Sequence, residues 1–295
     1  MQREENWARY EASFINLWGM KKGFRGGGNN QRRYRYRVES RLKGSTLVKK
    51  VKWLVLPKGE LRYKHEDLPP PLDSTASPPP LFDGTTRLYI AYSCPFAQRV
   101  WIIRNYKGLQ DKIKLVPINL QNRPAWYKEK VYAGNKVPSL EHNGKVIGES
   151  IDLIKYVDSN FEGPSLFPDD PAKRKFGEDL ISYLDKFVGG VYTSFQSDPV
   201  KEANAQFDYL ENALNKFDDG PFFLGQLSLE SDFGFVNERF QIFLSEAFKY
   251  DITAGRPKLA LWIEELNKID AYKVTKTNPK ELVEFYKKRF LNDQH

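Results

Sequence analysis

The sequence has a single cysteine, Cys94, among 295 residues, and only three scattered histidines, His65, His142 and His295. One thiol excludes an internal disulfide framework and a cysteine-based zinc site, and the spread of the histidines suggests no metal cage. A lone thiol also suits a reducing, cytoplasmic compartment. No run approaches the roughly 18 apolar residues that a membrane span needs. Acidic residues are scarce only at the start: residues 1–66 hold 17 Lys and Arg against 6 Asp and Glu, a net of +11, which leaves 29 basic and 32 acidic residues, a net of −3, for the rest. The formal charge of +8 is therefore that of a leader, and it does not mark the whole chain as a nucleic-acid binder.

Residues 1–66 lack sustained apolar periodicity and contain Gly26-Gly27-Gly28 and Asn29-Asn30, which reads as a disordered basic leader. Three other readings are a plastid or mitochondrial transit peptide, a basic arm for nucleic acid, and residues upstream of the true start. Glu4, Glu5 and Glu11 and the few serines count against a transit peptide. Residues 67–83, with Pro69-Pro70-Pro71 and Pro78-Pro79-Pro80, read as an extended spacer. From Gly84 the texture becomes that of a folded domain. A strand over 87–91 leads into a helix opened by Cys94-Pro95, and a second strand follows over 112–118. Two strands then flank Asn143-Gly144, a strong hairpin turn, and a helix runs from Ser150 to Phe161. The order βαβ, then ββ, then α, predicts a small mixed sheet covered by helices over 84–163. After a linker over 164–177, helical periodicity fills 178–295, with Pro199, Pro257 and Pro279 where first-turn prolines belong. The fold class is thus α/β followed by all-α.

The chemistry centres on Cys94. A cysteine between a strand and a helix N-terminus meets unpaired backbone N–H groups and the positive end of the helix dipole, which favour thiolate over thiol and predict a lowered pKa. The position of a resolving thiol is filled by Ala97, so a mixed disulfide on Cys94 needs an external thiol to resolve it. Val137-Pro138 precedes a strand and offers a backbone edge to a short extended peptide, with a cis proline as the expected form. Ser150 is a good helix N-cap. With Glu149 and the first-turn amides it also suits a ligand carboxylate. Arg123 and Lys136 are candidates to neutralise a second carboxylate. Each feature has a plainer reading: a buried inert cysteine, an ordinary loop proline, a simple cap, surface charges. Together they outline a groove for a small thiol peptide with a carboxylate at each end.

The string from Leu88 to Trp101 (LYIAYSCPFAQRVW), with GNKVPSL ending at Leu140 and GES ending at Ser150, resembles the plant lambda class of glutathione transferases, related to the omega and dehydroascorbate reductase classes. The resemblance covers about residues 68–295. It implies a thioredoxin-like domain followed by an all-helical domain, with Cys94 as nucleophile and no metal. It implies glutathione as co-substrate, a hydrophobic or aromatic second substrate, and a monomer. Phe96 then borders the sulfur and Arg123 lies near the glycyl end. Val137 and Pro138 pair the cysteinyl unit, Glu149 and Ser150 hold the γ-glutamyl end, and Lys136 lies beside the pocket. The chain departs from the family at 228–237: the Ser-x-x-Asp capping box is displaced to Ser228 and Asp232, with Ser231 as a substitute cap, where loss of a cap costs about 0.5–2 kcal/mol.

Three functions fit. The first is a thiol transferase that deglutathionylates small conjugates and mixed disulfides through Cys94, with dehydroascorbate reduction as a weaker activity. The second is a non-catalytic carrier of flavonoid-like aromatics. The third, nucleic-acid binding by residues 1–66, predicts salt-sensitive binding that is lost with the leader.

Overall fold

The computed structural model describes residues 66–195, 198–217, 220–224, 234 and 236–291, with four short strands nearer the start. It divides into two compact units, Met1–Glu60 and Leu61–His295. In the first, β1 (Arg33–Arg35) pairs antiparallel with β4 (Trp53–Val55), and β2 (Arg41–Leu42) with β3 (Ser45–Thr46). The leader expected to lack regular structure thus carries two short ladders, one built on the β-prone Trp53-Leu54-Val55.

The second unit opens on the sheet. β5 (Thr86–Ile90) lies parallel to β6 (Ile113–Pro117) and antiparallel to β7 (Ser139–His142), which pairs with β8 (Lys145–Ile147), giving the order β6-β5-β7-β8. The parallel pair needs a crossover, supplied by α1 (Pro95–Tyr106); the β7–β8 hairpin turns at Asn143 and Gly144, both with positive φ, as a type I′ turn requires. One face of the sheet packs on α1 and α2 (Ser150–Asn160) through Leu88, Ile90, Val100, Leu140 and Leu153. The other face buries Tyr89, Val116, Trp126 and Tyr127.

The proline-rich stretch is not a free spacer. Leu72 forms a parallel bridge with Ile118 at the β6 edge, donating from N to Pro117 O and accepting at O from Asn119 N. Trp126 Nε1 donates to Ala76 O at 2.8 Å and Tyr92 OH to Pro69 O at 2.7 Å. Proline is excluded from sheet interiors but tolerated at an edge, so a single residue between prolines makes the pairing.

The helical region comprises α3 (Pro171–Ser194), α4 (Pro199–Leu214), a π-helical turn (Val236–Gln241) running into α5 (Ile242–Phe248), α6 (Pro257–Leu266), α7 (Asp270–Lys273) and α8 (Pro279–Phe290). The helix expected from residue 178 begins at 171, inside the expected linker. The Asp170 carboxylate accepts from Ala172 N and Lys173 N, and Pro171 takes the first turn, so a complete cap outweighs the polar run that follows. Leu184, Phe187, Phe207, Phe243 and Trp262 form its core. The displaced capping box at 228–233 lies outside the described residues. Hydrogen bonds tie α1 to this region, among them Gln98 Nε2 to Thr275 O at 3.1 Å and Asn105 Nδ2 to Ala271 O at 3.3 Å. No helix among the described residues is long and apolar enough to cross a membrane.

Candidate active site

Cys94 is the N-cap of α1, in extended conformation, with Pro95 following at the first helical position. Its Sγ donates to the Val137 carbonyl at 3.7 Å, and the Val137–Pro138 peptide is cis. The strand-entry loop is thereby brought to the sulfur across 43 residues of sequence. Tyr127, fully buried, holds that loop from behind: its hydroxyl donates to Lys136 O at 2.6 Å and meets Ser139 Oγ at 2.8 Å.

The thiol differs from the sequence expectation. Burial pushes the Cys94 pKa up, and this outweighs the Ala97 and Phe96 amides and the Arg239 and Arg99 charges that favour thiolate. The contact to Val137 O is consistent with a protonated sulfur, because only the thiol donates. A raised pKa means that the reactive thiolate accumulates only as pH rises. Alkylation of Cys94 by iodoacetamide in the free protein should therefore keep accelerating past about pH 8.5, the ordinary thiol value. A plateau near neutral pH would mean that the amides and arginines prevail.

Ser150 does not cap α2. The N-cap is Glu149, which makes no side-chain cap bond and sits at φ 61°, ψ 116°, a region costly for a residue with a Cβ. Ser150 is the first helical residue, and its Oγ accepts from Arg99 Nη1 at 3.2 Å. Arg99 is 2% exposed, and its guanidinium carbon lies 5.3 Å from the Phe96 ring centre. One side chain thus connects the serine at α2 with the Phe96 ring of α1. Phe96 itself is 42% exposed. Arg123 donates through Nη1 to Asn135 O and through Nε to Leu120 O, the latter at 3.3 Å, which places it beside the loop carrying Lys136. Lys136 and Glu149 are exposed.

Sequence reasoning missed Gln98, Arg99, Tyr127 and Arg239. Arg99 had one available signal, a charged residue directly before the apolar run Val100-Trp101-Ile102-Ile103. Arg239 is 1% exposed, and its Nη2 donates to Gln98 Oε1 at 3.4 Å and to Thr277 Oγ1 at 3.5 Å. A cavity of about 190 Å³ opens at Ser93, the residue before Cys94, and is also lined by Arg239, Thr277, Glu281, Leu282 and Phe285. Among the described residues, no group of three or more His, Cys, Asp or Glu is placed to hold a metal ion.

A model of the glutathione S-transferase N-terminal domain matches residues 88–165. Over 228 residues the chain is 67% identical to glutathione S-transferase L3 of Arabidopsis thaliana, covering 77% of this chain and 97% of that protein. The chain belongs to the plant lambda class of glutathione transferases. It is also 59% identical over 221 residues to the same plant's glutathione S-transferase L2, chloroplastic, covering 75% of this chain and 76% of that one. Among solved structures, glutathione transferase Omega 2C from Trametes versicolor matches with a TM-score of 0.61 at 25% identity, covering 70% of this chain and 99% of that one. The lambda transferase is accordingly a glutathione-dependent enzyme, and its thioredoxin-like domain followed by a helical region is the fold that the sequence predicted.

Proposed function

We propose that this transferase removes glutathione from small conjugates and mixed disulfides, with Cys94 as the nucleophile. The observation that carries the reading is a lone cysteine at a helix N-terminus, 3.7 Å from the carbonyl of the cis-proline loop. The Cys94 thiolate attacks the glutathione sulfur of a mixed disulfide, and the partner thiolate leaves and takes up a proton. From a thioether conjugate, the carbon group leaves with the bond's electron pair and is protonated. Cys94 now carries glutathione in a disulfide. A second glutathione, as thiolate, attacks that bond, forming oxidised glutathione and restoring Cys94. Dehydroascorbate reduction, with two glutathiones as the electron source, is a secondary activity of the same cycle.

Glutathione lies along the loop, its cysteinyl unit at Val137 and Pro138, its γ-glutamyl carboxylate at Glu149, Ser150 and the first-turn amides of α2, and its glycyl end towards Arg123 and Lys136, with Phe96 over the sulfur. The uncapped start of α2 supports this arrangement, because its amides have no side-chain acceptor. Ser150→Ala should weaken glutathione binding about tenfold, the cost of one charge-assisted hydrogen bond, measured by calorimetry. The carrier reading is the weaker one, since a cavity of about 190 Å³ suits a single ring, an apolar cavity of about 150 Å³ being enough for benzene. The enzyme works as a monomer in the cytoplasm; the relative named chloroplastic keeps a plastid role for residues 1–66 as the second location.

The test is intact-protein mass after oxidised glutathione. Wild type should gain one glutathione that reduced glutathione removes, and Cys94→Ser should gain none. An unmodified wild type between pH 6 and 9 would overturn the reading.

A further inference from the structure

Arg239 is a cation with almost no exposure, in a place where a charge is costly to bury unless it is paired. Among the described residues its hydrogen bonds, at 3.4 and 3.5 Å, are longer than ordinary N–H···O bonds. Both acceptors are neutral, and Nε has no acceptor among the described residues. Among the described residues no carboxylate forms an ion pair with it. Such a group is incomplete without an anion. It borders the cavity that opens at Ser93, one residue before the nucleophile, with Leu282 and Phe285 of α8 as an apolar wall.

We infer that Arg239 is the specificity-determining residue of the second-substrate pocket, selecting glutathione conjugates whose aromatic group carries a carboxylate or another anionic oxygen. The inference rests on the reading that glutathione's sulfur is held at Cys94. A substituent on that sulfur enters the cavity past Ser93, packs its ring on Leu282 and Phe285, and turns its acidic end to the guanidinium. The planar donor set of arginine matches a carboxylate in a way that a serine or threonine hydroxyl does not. Glu281 also lines the cavity, but it is exposed, so water and salt screen its repulsion more than they screen the buried guanidinium's attraction.

The test compares S-benzylglutathione with S-(4-carboxybenzyl)glutathione, two stable thioethers whose binding is read by calorimetry on the full chain. Wild type should bind the acid about tenfold more tightly, the scale of one charge-assisted hydrogen bond. Arg239→Gln should level the two affinities, Arg239→Lys should keep part of the preference, and Glu281→Gln should enlarge it. Should Arg239→Gln fail to fold, the wild-type pair and Arg239→Lys decide the matter. Equal affinities in wild type, or a preference that survives Arg239→Gln, would overturn the inference; so would loss of both affinities in equal proportion, which would assign Arg239 to the thiol or to packing. No reaction is needed for either ligand, so failed turnover would sink the deglutathionylation reading alone. If reduced glutathione itself does not bind, the glutathione site is wrong and the inference falls with it.

Discussion

Cys94→Ser is expected to lower thiol-transfer turnover by at least about a thousandfold, the order of loss when a covalent nucleophile is removed. A serine hydroxyl is far less acidic than a thiol and cannot form the disulfide intermediate. No other cysteine exists to take over. The fold should be unaffected, because the bond the thiol donates is a long contact to the Val137 carbonyl, which a hydroxyl can replace. The measurement is release of a chromophoric thiol from its mixed disulfide with glutathione, set beside the melting temperature of both proteins. A variant that melts normally but retains more than about a tenth of the activity would place the chemistry elsewhere.

Glu66→Ala is expected to destabilise the second unit by about 3 kcal/mol, the lower end of the cost of removing one partner of a buried ion pair. Arg104 is wholly buried in α1, and Glu66 meets it through two hydrogen bonds of 2.7 Å. Ile113 O, Gln110 O and Asn105 Oδ1 also accept from the guanidinium, but all three are neutral. Without Glu66 the charge has no counter-ion among these partners. For a unit of roughly 200 residues, the loss corresponds to a drop of about 6–12 °C in Tm. Glu66→Gln should recover part of it by keeping a hydrogen-bond acceptor. A shift under about 2 °C for Glu66→Ala would mean that the segment before Leu72 is not a structural part of this unit.

These two residues differ in how far the sequence revealed them. Cys94 was legible because its signals are local: a strand, a Cys-Pro pair and a helix within a dozen residues. The same holds for the Asn143-Gly144 turn and for α8, whose limits at 279 and 290 follow from Pro279 and the periodicity behind it. Glu66 was hidden at the end of a basic stretch that its composition marked as leader, and the prolines after it suggested a spacer. Their docking depends on an edge at β6 and on a buried arginine, neither of which composition reveals. Ser150 went wrong more narrowly. Serine before an apolar run is a good cap, but Glu149 takes the cap position, and the serine hydroxyl is bonded to an arginine 51 residues away.

By itself, the sequence determined the element order of the sheet domain, the first-turn prolines, the hairpin and the placement of Cys94 at a helix N-terminus, because backbone preference and capping act over a few neighbouring residues. Only the tertiary structure decided what surrounds the sulfur. It set the direction of the thiol's pKa, placed Arg99 between Ser150 and Phe96, and buried Arg239 beside Cys94 from almost 150 positions along the chain. Burial and charge pairing sum over every segment that packs at a point, and no local pattern in the sequence carries that sum.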